Sequence, residues 1–340
     1  MAVKWFEKDG FRDDVVISTR VRLARNIEGF AFPRHLSYEE SEKLSQKVAE
    51  VLRETGYGFE ETDISEISDL EKNYLLEEYT ISKSLLDPRL KRKVFTGNDG
   101  HVSIMLNEED HLRLQCIYAG FEPDKAYDLI NKVDNLIGEK LSYAFSEKYG
   151  YLTTCPTNVG TGMRVSFMLH LPALAMAGHI DELFTAVGKL GIAVRGVYGE
   201  GSKSTGHIYQ ISNQVTLGLS EGEIIEKLTE VVNRIITQEK ELRNKILKEN
   251  GIAFTDKIMR SYGVLKYASV MSTAELLELL SKVRLGVSMG MIEGVKLSDI
   301  TNIMIKSRPA HIMNDQKKTM PAFERDVKRA KLIKEILRAE

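Results

Sequence analysis

The sequence of 340 residues has two cysteines, Cys116 and Cys155, and so no disulfide framework; this usage fits a reducing compartment. No run of about 18 apolar residues occurs, and Met1–Gly10 has no apolar core of a secretory signal. A cytoplasmic protein is expected, neither exported nor membrane-spanning. Excess charge is missing too. The 47 basic and 49 acidic residues leave a net charge of −2, which gives no global basic field for nucleic acid. Internal repeats, low-complexity tracts and long linkers are absent. So is a P-loop: the stretch 199–206 is glycine-rich, but Gly201 is followed by Ser202 and then Lys203, which breaks the Gly-Lys-(Ser/Thr) triplet.

What the sequence holds is an ordinary globular composition, 43% hydrophobic and 28% charged, long enough for one large domain and a smaller one. Val15-Val16-Ile17 is a β-branched run feeding Ser18–Arg22, which places those arginines at or just past a strand end. Ser37–Glu40 and Ser68–Glu71 read as capping boxes, opening one helix through Leu52 and another over Ser68–Ser82. Lys93–Thr96 and Val102–Leu106 read as a hairpin around Gly97–Gly100. Leu112, Leu114 and Cys116 alternate in the next strand, which puts Arg113 on its other face, with Glu108, Glu109 and Asp110 in the connection. A long amphipathic helix is predicted over Pro123–Glu147, ended by Gly150. Another is predicted over Ile180–Leu190, with strands at Ile192–Val197 and His207–Asn213. A charged helix over Glu221–Asn250 is expected to close at Asn250-Gly251. Beyond residue 255 no strand is convincing; Ser272–Glu275 caps one helix, Ser298 starts another and Ala322–Leu337 forms a last basic one. The change of character near 251–255 predicts domains at 1–252 and 253–340.

The most informative stretch is Tyr151–Leu171. Tyr151–Thr154 reads as a short strand broken at Cys155-Pro156. Residues 157–163 have the composition of a tight loop whose backbone N–H groups can face an anion. After Arg164 the alternation of Val165, Phe167, Leu169 and Leu171 resumes a strand. A cysteine beside such a loop, with an arginine entering a strand, suits a phosphate-handling centre. It suits an ordinary loop with a buried thiol equally well.

Cys155-Pro156-Thr157-Asn158-Val159-Gly160-Thr161 resembles the Cys-Pro-(Ser/Thr)-Asn-x-Gly-Thr signature of the phosphagen (guanidino) kinases. Ser18–Asn26, Asn107–Arg113, Arg195–Glu200 and Ile211–Gln214 are similar to further blocks of that family, in the same order. The resemblance implies an α+β fold. Its catalytic domain would be an antiparallel sheet flanked by helices, followed by a smaller all-α domain. It implies ATP as phosphoryl donor, with Mg2+ carried by the nucleotide rather than by a protein cage. The implied nucleotide site comprises Ser18, Thr19, Arg20, Val21 and Arg22, then Arg113, then Arg164, Val165, Ser166, Phe167 and Met168. Arg195, Gly196, Val197, Tyr198, Gly199 and Glu200 complete it. Phosphate contacts fall on Arg20, Arg22, Arg113, Arg164 and Arg195, the fixed cations a triphosphate needs. A guanidinium, protonated up to a pH of about 12, needs carboxylates to fix its plane and take a proton. By resemblance these are Glu109, the leading base candidate, and Glu200, the partner clamp, with the two roles not separable. Cys155 matches the family's reactive cysteine, whose thiolate would orient the guanidinium.

Two departures narrow the resemblance. Only 17 residues precede Ser18, so the N-terminal helical domain whose loop closes over a small guanidine is expected to be missing. Tyr198 stands where small-substrate kinases usually have a second arginine. The combination is similar to the bacterial protein arginine kinases of the McsB type, over nearly the whole chain. That implies protein substrates with exposed arginine, a stress-response role in marking proteins for a Clp-type chaperone-protease, and a zinc-binding activator protein as partner. A homodimer is one assembly it allows; no direct nucleic-acid or membrane partner is expected. Arg325-Asp326-Val327-Lys328-Arg329-Ala330 matches the group's Arg-Asp-x-x-Arg-Ala motif, an allosteric phosphoarginine pocket in which two guanidinium forks clasp phosphate and Asp326 takes the ligand's guanidinium. Helical spacing alone reads the same run as a solvated basic face. Tyr79 replaces a histidine assigned to ATP in some of these enzymes, and that contact is not carried over. A kinase of free arginine or another small guanidine is the alternative enzyme. A non-catalytic phosphoarginine-binding adaptor is the alternative of another class, although it has no need of Glu109, Glu200 and Cys155 together. The net charge disfavours a DNA-binding repressor.

Overall fold

The computed structural model describes residues 4–197, 204–315 and 319–338. Its strands are β1 (Val16–Arg25), β2 (Phe59–Asp63), β3 (Lys93–Gly97), β4 (Val102–Leu106), β5 (Leu112–Ala119), β6 (Phe145–Ser146), β7 (Gly150–Tyr151), β8 (Met163–His170), β9 (Ile192–Gly196) and β10 (Ile208–Asn213). Its helices are α1 (Tyr38–Glu54), α2 (Asp69–Glu77), α3 (Pro123–Gly138), α4 (Pro172–Met176), α5 (Ile180–Gly188) and α6 (Glu221–Tyr267), then α7 (Thr273–Ser288), α8 (Leu297–Lys306), α9 (Pro309–Asp315) and α10 (Ala322–Ile336). Eight strands form one antiparallel sheet in the order β2-β3-β4-β5-β1-β8-β10-β9. The small β6-β7 ribbon stands apart.

The central strand β1 serves both faces of the sheet because its side chains alternate, Val21 and Leu23 to one side and Arg20 and Arg22 to the other. The apolar side joins Leu114 of β5, Val165 and Phe167 of β8 and Ile211 of β10 in one core with α1, α3 and the first half of α6. Each aliphatic or aromatic side chain withdrawn there contributes roughly 1.5–3 kcal/mol. The opposite face is divided. At one end Ile117, Met168 and Ile208 enter a second apolar cluster with Trp5, Phe6 and the C-terminal helices, through Ile258, Leu280, Ile303 and Ile333. The helices therefore roof that end and leave the arginine end open.

A buried polar seam ties the helices to the sheet. The Glu239 carboxylate accepts from the backbone N–H groups of Ala173 and Leu174, each at 3.0 Å, and pairs with Arg243 at 2.7 Å. Arg243 also donates to the carbonyls of Asp14 (3.1 Å) and His170 (3.3 Å) and to Ser288 Oγ of α7 (3.1 Å). Arg284 of α7 reaches the Asp13 carbonyl at 2.6 Å. The His170 ring lies 2.8 Å from Ser281 Oγ; burial, then the charges of Arg243 and Arg284, push its pKa well down, so it is neutral.

Several local expectations are corrected. The third helix stops at Gly138 rather than Glu147, and Gly150 does not end it; the turns after it carry Leu141 into the core before β6. Tyr151–Thr154 yields only the two-residue β7, because the chain turns toward Cys155 to meet other partners. The helix expected to reach Ser82 ends at Glu77. Asn250-Gly251 kinks α6 instead of closing it: Asn250 leaves helical geometry (φ −135°, ψ 32°), but Gly251 does not take the positive φ of a terminating glycine, and the helix continues to Tyr267. Two of the last helices start as expected, with Ser272 Oγ accepting from Glu275 N and α10 starting at Ala322, whereas α8 starts at Leu297 behind Lys296, so Ser298 lies inside it.

Glu239→Ala strands a buried guanidinium and two backbone donors. It is expected to lower the unfolding free energy by about 3–5 kcal/mol in urea titration; a loss below about 1 kcal/mol contradicts the role given to the seam.

Candidate active site

Strand register gathers the five motif arginines on one face. Arg22 lies opposite Arg164, Arg20 opposite Ser166, and Ala24 opposite Arg113. Gln210 lies opposite both Met168 and Arg195, which extends the same face across β10 to β9. The partners these arginines have are few. Arg113 pairs with the buried Glu108 carboxylate at 2.7 Å, and Arg20 donates to Gln210 Oε1 at 3.2 Å. The Nε atoms of Arg22 and Arg164 are buried with no hydrogen-bond partner among the described residues.

The electrostatics follow from that crowding. Burial, then repulsion from Arg113, Arg164 and Arg195, pulls the Arg20 pKa down to about 10, against an opposing contribution from Tyr79. Burial and Arg20, Arg113 and Arg164 hold Arg22 well below the usual guanidinium value. Arg164 is lowered by burial, Arg195 and Arg113, and stabilised by Glu109 and Cys155. At neutral pH Arg20 remains charged, so the face is a cationic surface short of anions.

Beside it the β4–β5 connection presents its carboxylates in three ways. Glu108 is buried; burial raises its pKa, but Arg113, Ser82 Oγ and the Glu109 N–H outweigh this and hold it below the ordinary value. Asp110 is buried and accepts from Asn26 Nδ2 (2.7 Å) and from the backbone N–H of Thr154 (2.6 Å). Only Glu109 is exposed. Its pKa is raised by partial burial and by Asp110 and Glu108, with Arg113 and Asn158 opposing. Through Asp110 the loop that ends in Cys155 is fastened to the loop that carries Glu109. Asn158 closes the link with a 3.4 Å bond to Glu109 Oε2, and Cys155 Sγ sits 3.0 Å from Thr157 Oγ1. The loop after Cys155 needs two of its glycines: at Gly160 (φ +113°) a Cβ would lie 2.3 Å from Thr216 O, and at Gly162 (φ +63°) 2.6 Å from Ala24 O. Arg22, Glu109, Arg113, Asn158 and Arg164 line one cleft. The other cysteine, Cys116, is fully buried, and burial pushes its thiol pKa well up.

Other expected site residues fall in different places. Val21, Val165 and Phe167 turn into the apolar core and support the face from behind. Thr19 is buried, donating to Gly120 O at 2.7 Å. Ser18, Ser166 and Met168 line a small pocket near Arg20, while Gly196 ends β9 and Val197 follows it. Tyr198, Gly199 and Glu200 lie outside the described residues. In α10, Arg325 donates to Met320 O at 2.7 Å. Arg329 is 1% exposed, donating to Ser307 O (2.8 Å) and Met271 O (2.7 Å) and pairing with Asp326. The motif's second arginine is therefore not on a solvated face, although Val327 is exposed; Lys328 is half-buried and Ala330 buried. Sequence reasoning missed Glu108, Asp110 and Asn158 as partners, and Arg25, which locks α3 to the sheet through Asp134 at 2.8 Å. All four stand inside the quoted motifs, which was the available signal.

The sequence pattern of the ATP:guanido phosphotransferase C-terminal catalytic domain matches residues 40–242, and that of the protein-arginine kinase McsB C-terminal domain matches residues 251–340. A solved structure with this fold is the duplicated taurocyamine kinase from Schistosoma mansoni with bound transition state analog components. It is 30% identical at a TM-score of 0.61 over 71% of this chain and 36% of that one. The class is that of phosphotransferases acting on guanidino groups. Among curated relatives, the protein-arginine kinase of Desulforamulus reducens is 44% identical over 98% of this chain and 95% of its own length. That of Pelotomaculum thermopropionicum is 43% identical over 97% and 94%. The chain belongs to the ATP:guanido phosphotransferase family and, within it, to the protein-arginine kinases.

A base works only when ionised, so with Glu109 as the base its raised pKa is expected to place the acid limb of kcat/KM above the ordinary carboxylate range. Asn158 stabilises the ionised form, and Asn158→Ala is expected to move that limb to higher pH in a pH–rate profile. A limb unchanged or moved to lower pH removes Glu109 as the titrating group.

Proposed function

We propose that the protein transfers the γ-phosphoryl group of ATP to the guanidino nitrogen of arginine side chains in proteins. The observation that carries this is the cationic sheet face whose Arg22, Arg113 and Arg164 line one cleft with Glu109 and with Asn158 of the Cys155 loop. The triphosphate lies along Arg20, Arg22, Arg113, Arg164 and Arg195, where it relieves their mutual repulsion. Mg2+ arrives on the nucleotide, since this many guanidinium groups repel a free divalent cation. The acceptor guanidinium enters between Glu109 and Cys155, with Glu200 as the second clamp. Glu109 takes the proton as the nitrogen attacks phosphorus; the P–N bond forms, the bond to the β–γ bridging oxygen breaks, and ADP leaves. Glu109 is suited to this because its raised pKa makes its carboxylate a stronger proton acceptor at neutral pH.

Protein arginine rather than free arginine is favoured by relatives named protein-arginine kinase that match this chain nearly end to end. The division at 1–252 and 253–340 is proposed as two domains sharing α6 across its kink. Within the second, the run Arg325–Ala330 is proposed to bind phosphoarginine by exchange: Asp326 releases Arg329 to take the ligand's guanidinium, and the arginines take its phosphate. Delivery of marked proteins to a Clp-type protease under stress, a zinc-binding activator and a cytoplasmic location complete the reading. A homodimer is compatible with it.

The purified chain is to be given ATP and a mixture of unfolded protein and free arginine, with acid-labile phosphate mapped by mass spectrometry. Phosphate is expected on arginine side chains of the protein. Phosphate on free arginine alone makes the enzyme a small-guanidine kinase, and phosphate on serine removes the reading altogether.

A further inference from the structure

Where α2 ends, the chain passes Glu78 and takes a left-handed turn at Tyr79, with φ +63°. A tyrosine keeps that conformation only when its surroundings hold it there. Gln115 Nε2 donates to the Tyr79 carbonyl at 2.6 Å, the Tyr79 N–H donates to Leu76 O at 3.1 Å, and the Trp5 ring lies 6.2 Å away. The tyrosine is thereby fixed at the edge of a small pocket that it lines with Ser18, Arg20, Ser166, Met168 and Gln210. Arg20 belongs both to this pocket and to the cationic face. A nucleotide with its phosphates on Arg20 and Arg22 has its nucleoside end within reach of Tyr79 at the edge of this pocket.

What holds the phenol comes from the C-terminal helices. Arg308, between α8 and α9, donates to the Tyr79 hydroxyl at 2.8 Å and to the Glu77 carbonyl at 2.9 Å, and its guanidinium carbon lies 5.0 Å from the tyrosine ring centroid. The two segments are fastened a second time by the Glu77 carboxylate, which accepts from the N–H groups of Ala310 and His311, each at 3.0 Å. Arg308 is anchored on its own side too, because the preceding carbonyl, that of Ser307, accepts from Arg329.

We infer that Arg308 is a positioning residue of the nucleotide site: it holds Tyr79 as the aromatic wall against the base, so that the C-terminal helices set nucleotide affinity from outside the catalytic sheet. This rests on the cationic face being the nucleotide site. Arg308 does not touch the reacting atoms, so its removal weakens nucleotide binding and spares the chemical step.

The test uses the full chain with Tyr79→Phe, which removes only the hydroxyl, Arg308→Gln, which removes the fork, and the double variant. ADP affinity is measured by titration without any acceptor, and KM for ATP and kcat are measured separately. Loss of one charged hydrogen bond is expected to weaken ADP binding and raise KM about five- to tenfold in Arg308→Gln. A smaller rise is expected in Tyr79→Phe, with kcat within about twofold in both. The double variant should be no worse than Arg308→Gln, since the Arg308–Tyr79 contact that Tyr79→Phe removes is already broken in Arg308→Gln. Unchanged ADP affinity in Tyr79→Phe, or effects that multiply in the double variant, overturn the inference, and the Phe variant decides it if Arg308→Gln fails to fold. A wild-type chain that binds ADP with this dependence but transfers no phosphate overturns the proposed reaction and supports the positioning role.

Discussion

Like charges held together on a rigid surface are the constraint on which the site depends. β-Pairing puts Arg20, Arg22, Arg113, Arg164 and Arg195 on one face, and the sheet cannot relieve their repulsion by slipping. A one-residue shift would turn Val21, Leu23, Val165 and Phe167 out of the core. Among the described residues only Glu108 forms an ion pair with one of the five. The apolar core thus holds in place a charge distribution that is unfavourable until an anion arrives. This is the exchange of stability for binding expected at functional sites.

The acidic side of the cleft is built on the opposite plan. Of three successive carboxylates, Glu108 is neutralised by Arg113 and Asp110 is consumed by Asn26 and the Thr154 N–H. Glu109 alone is left exposed, and partial burial, then its two neighbours, raise its pKa. One chain segment therefore supplies a counter-charge, a brace and a candidate base, separated by burial. The brace fastens the Cys155 loop to this connection, and Asn158 of that loop reaches Glu109 although 49 residues separate them in sequence. The C-terminal helices complete the division of the sheet by covering the end that carries Ile117, Met168 and Ile208.

Much of this was legible in sequence where one strand or one cap decides the outcome. The alternation of Leu112, Leu114 and Cys116 located Arg113, and the serines at 37, 68 and 272 mark helix starts that the structure keeps. What was not legible depends on partners distant in sequence. No local signal says that Arg22 meets Arg164 across two strands, or that α6 continues past Asn250 because apolar side chains are buried on both sides of the kink. Arg329 reads as part of a basic surface until the carbonyls of Ser307 and Met271 are seen to take its donors. Gly150 looked like a helix terminator for the same reason: the turn it serves pairs with Gly160 through Tyr151 rather than with the preceding helix.

The repulsion itself can be measured at Arg22, whose buried Nε has no hydrogen-bond partner among the described residues, through thermal unfolding of wild type and Arg22→Met with and without ADP. If like charge on this face is what the nucleotide relieves, the methionine variant melts higher than wild type without nucleotide, by about 2 °C or more. ADP then raises its melting temperature far less than it raises that of wild type. A variant that melts lower without nucleotide, yet gains as much from ADP as wild type does, would show that the arginine face is neither strained nor the place where nucleotide binds.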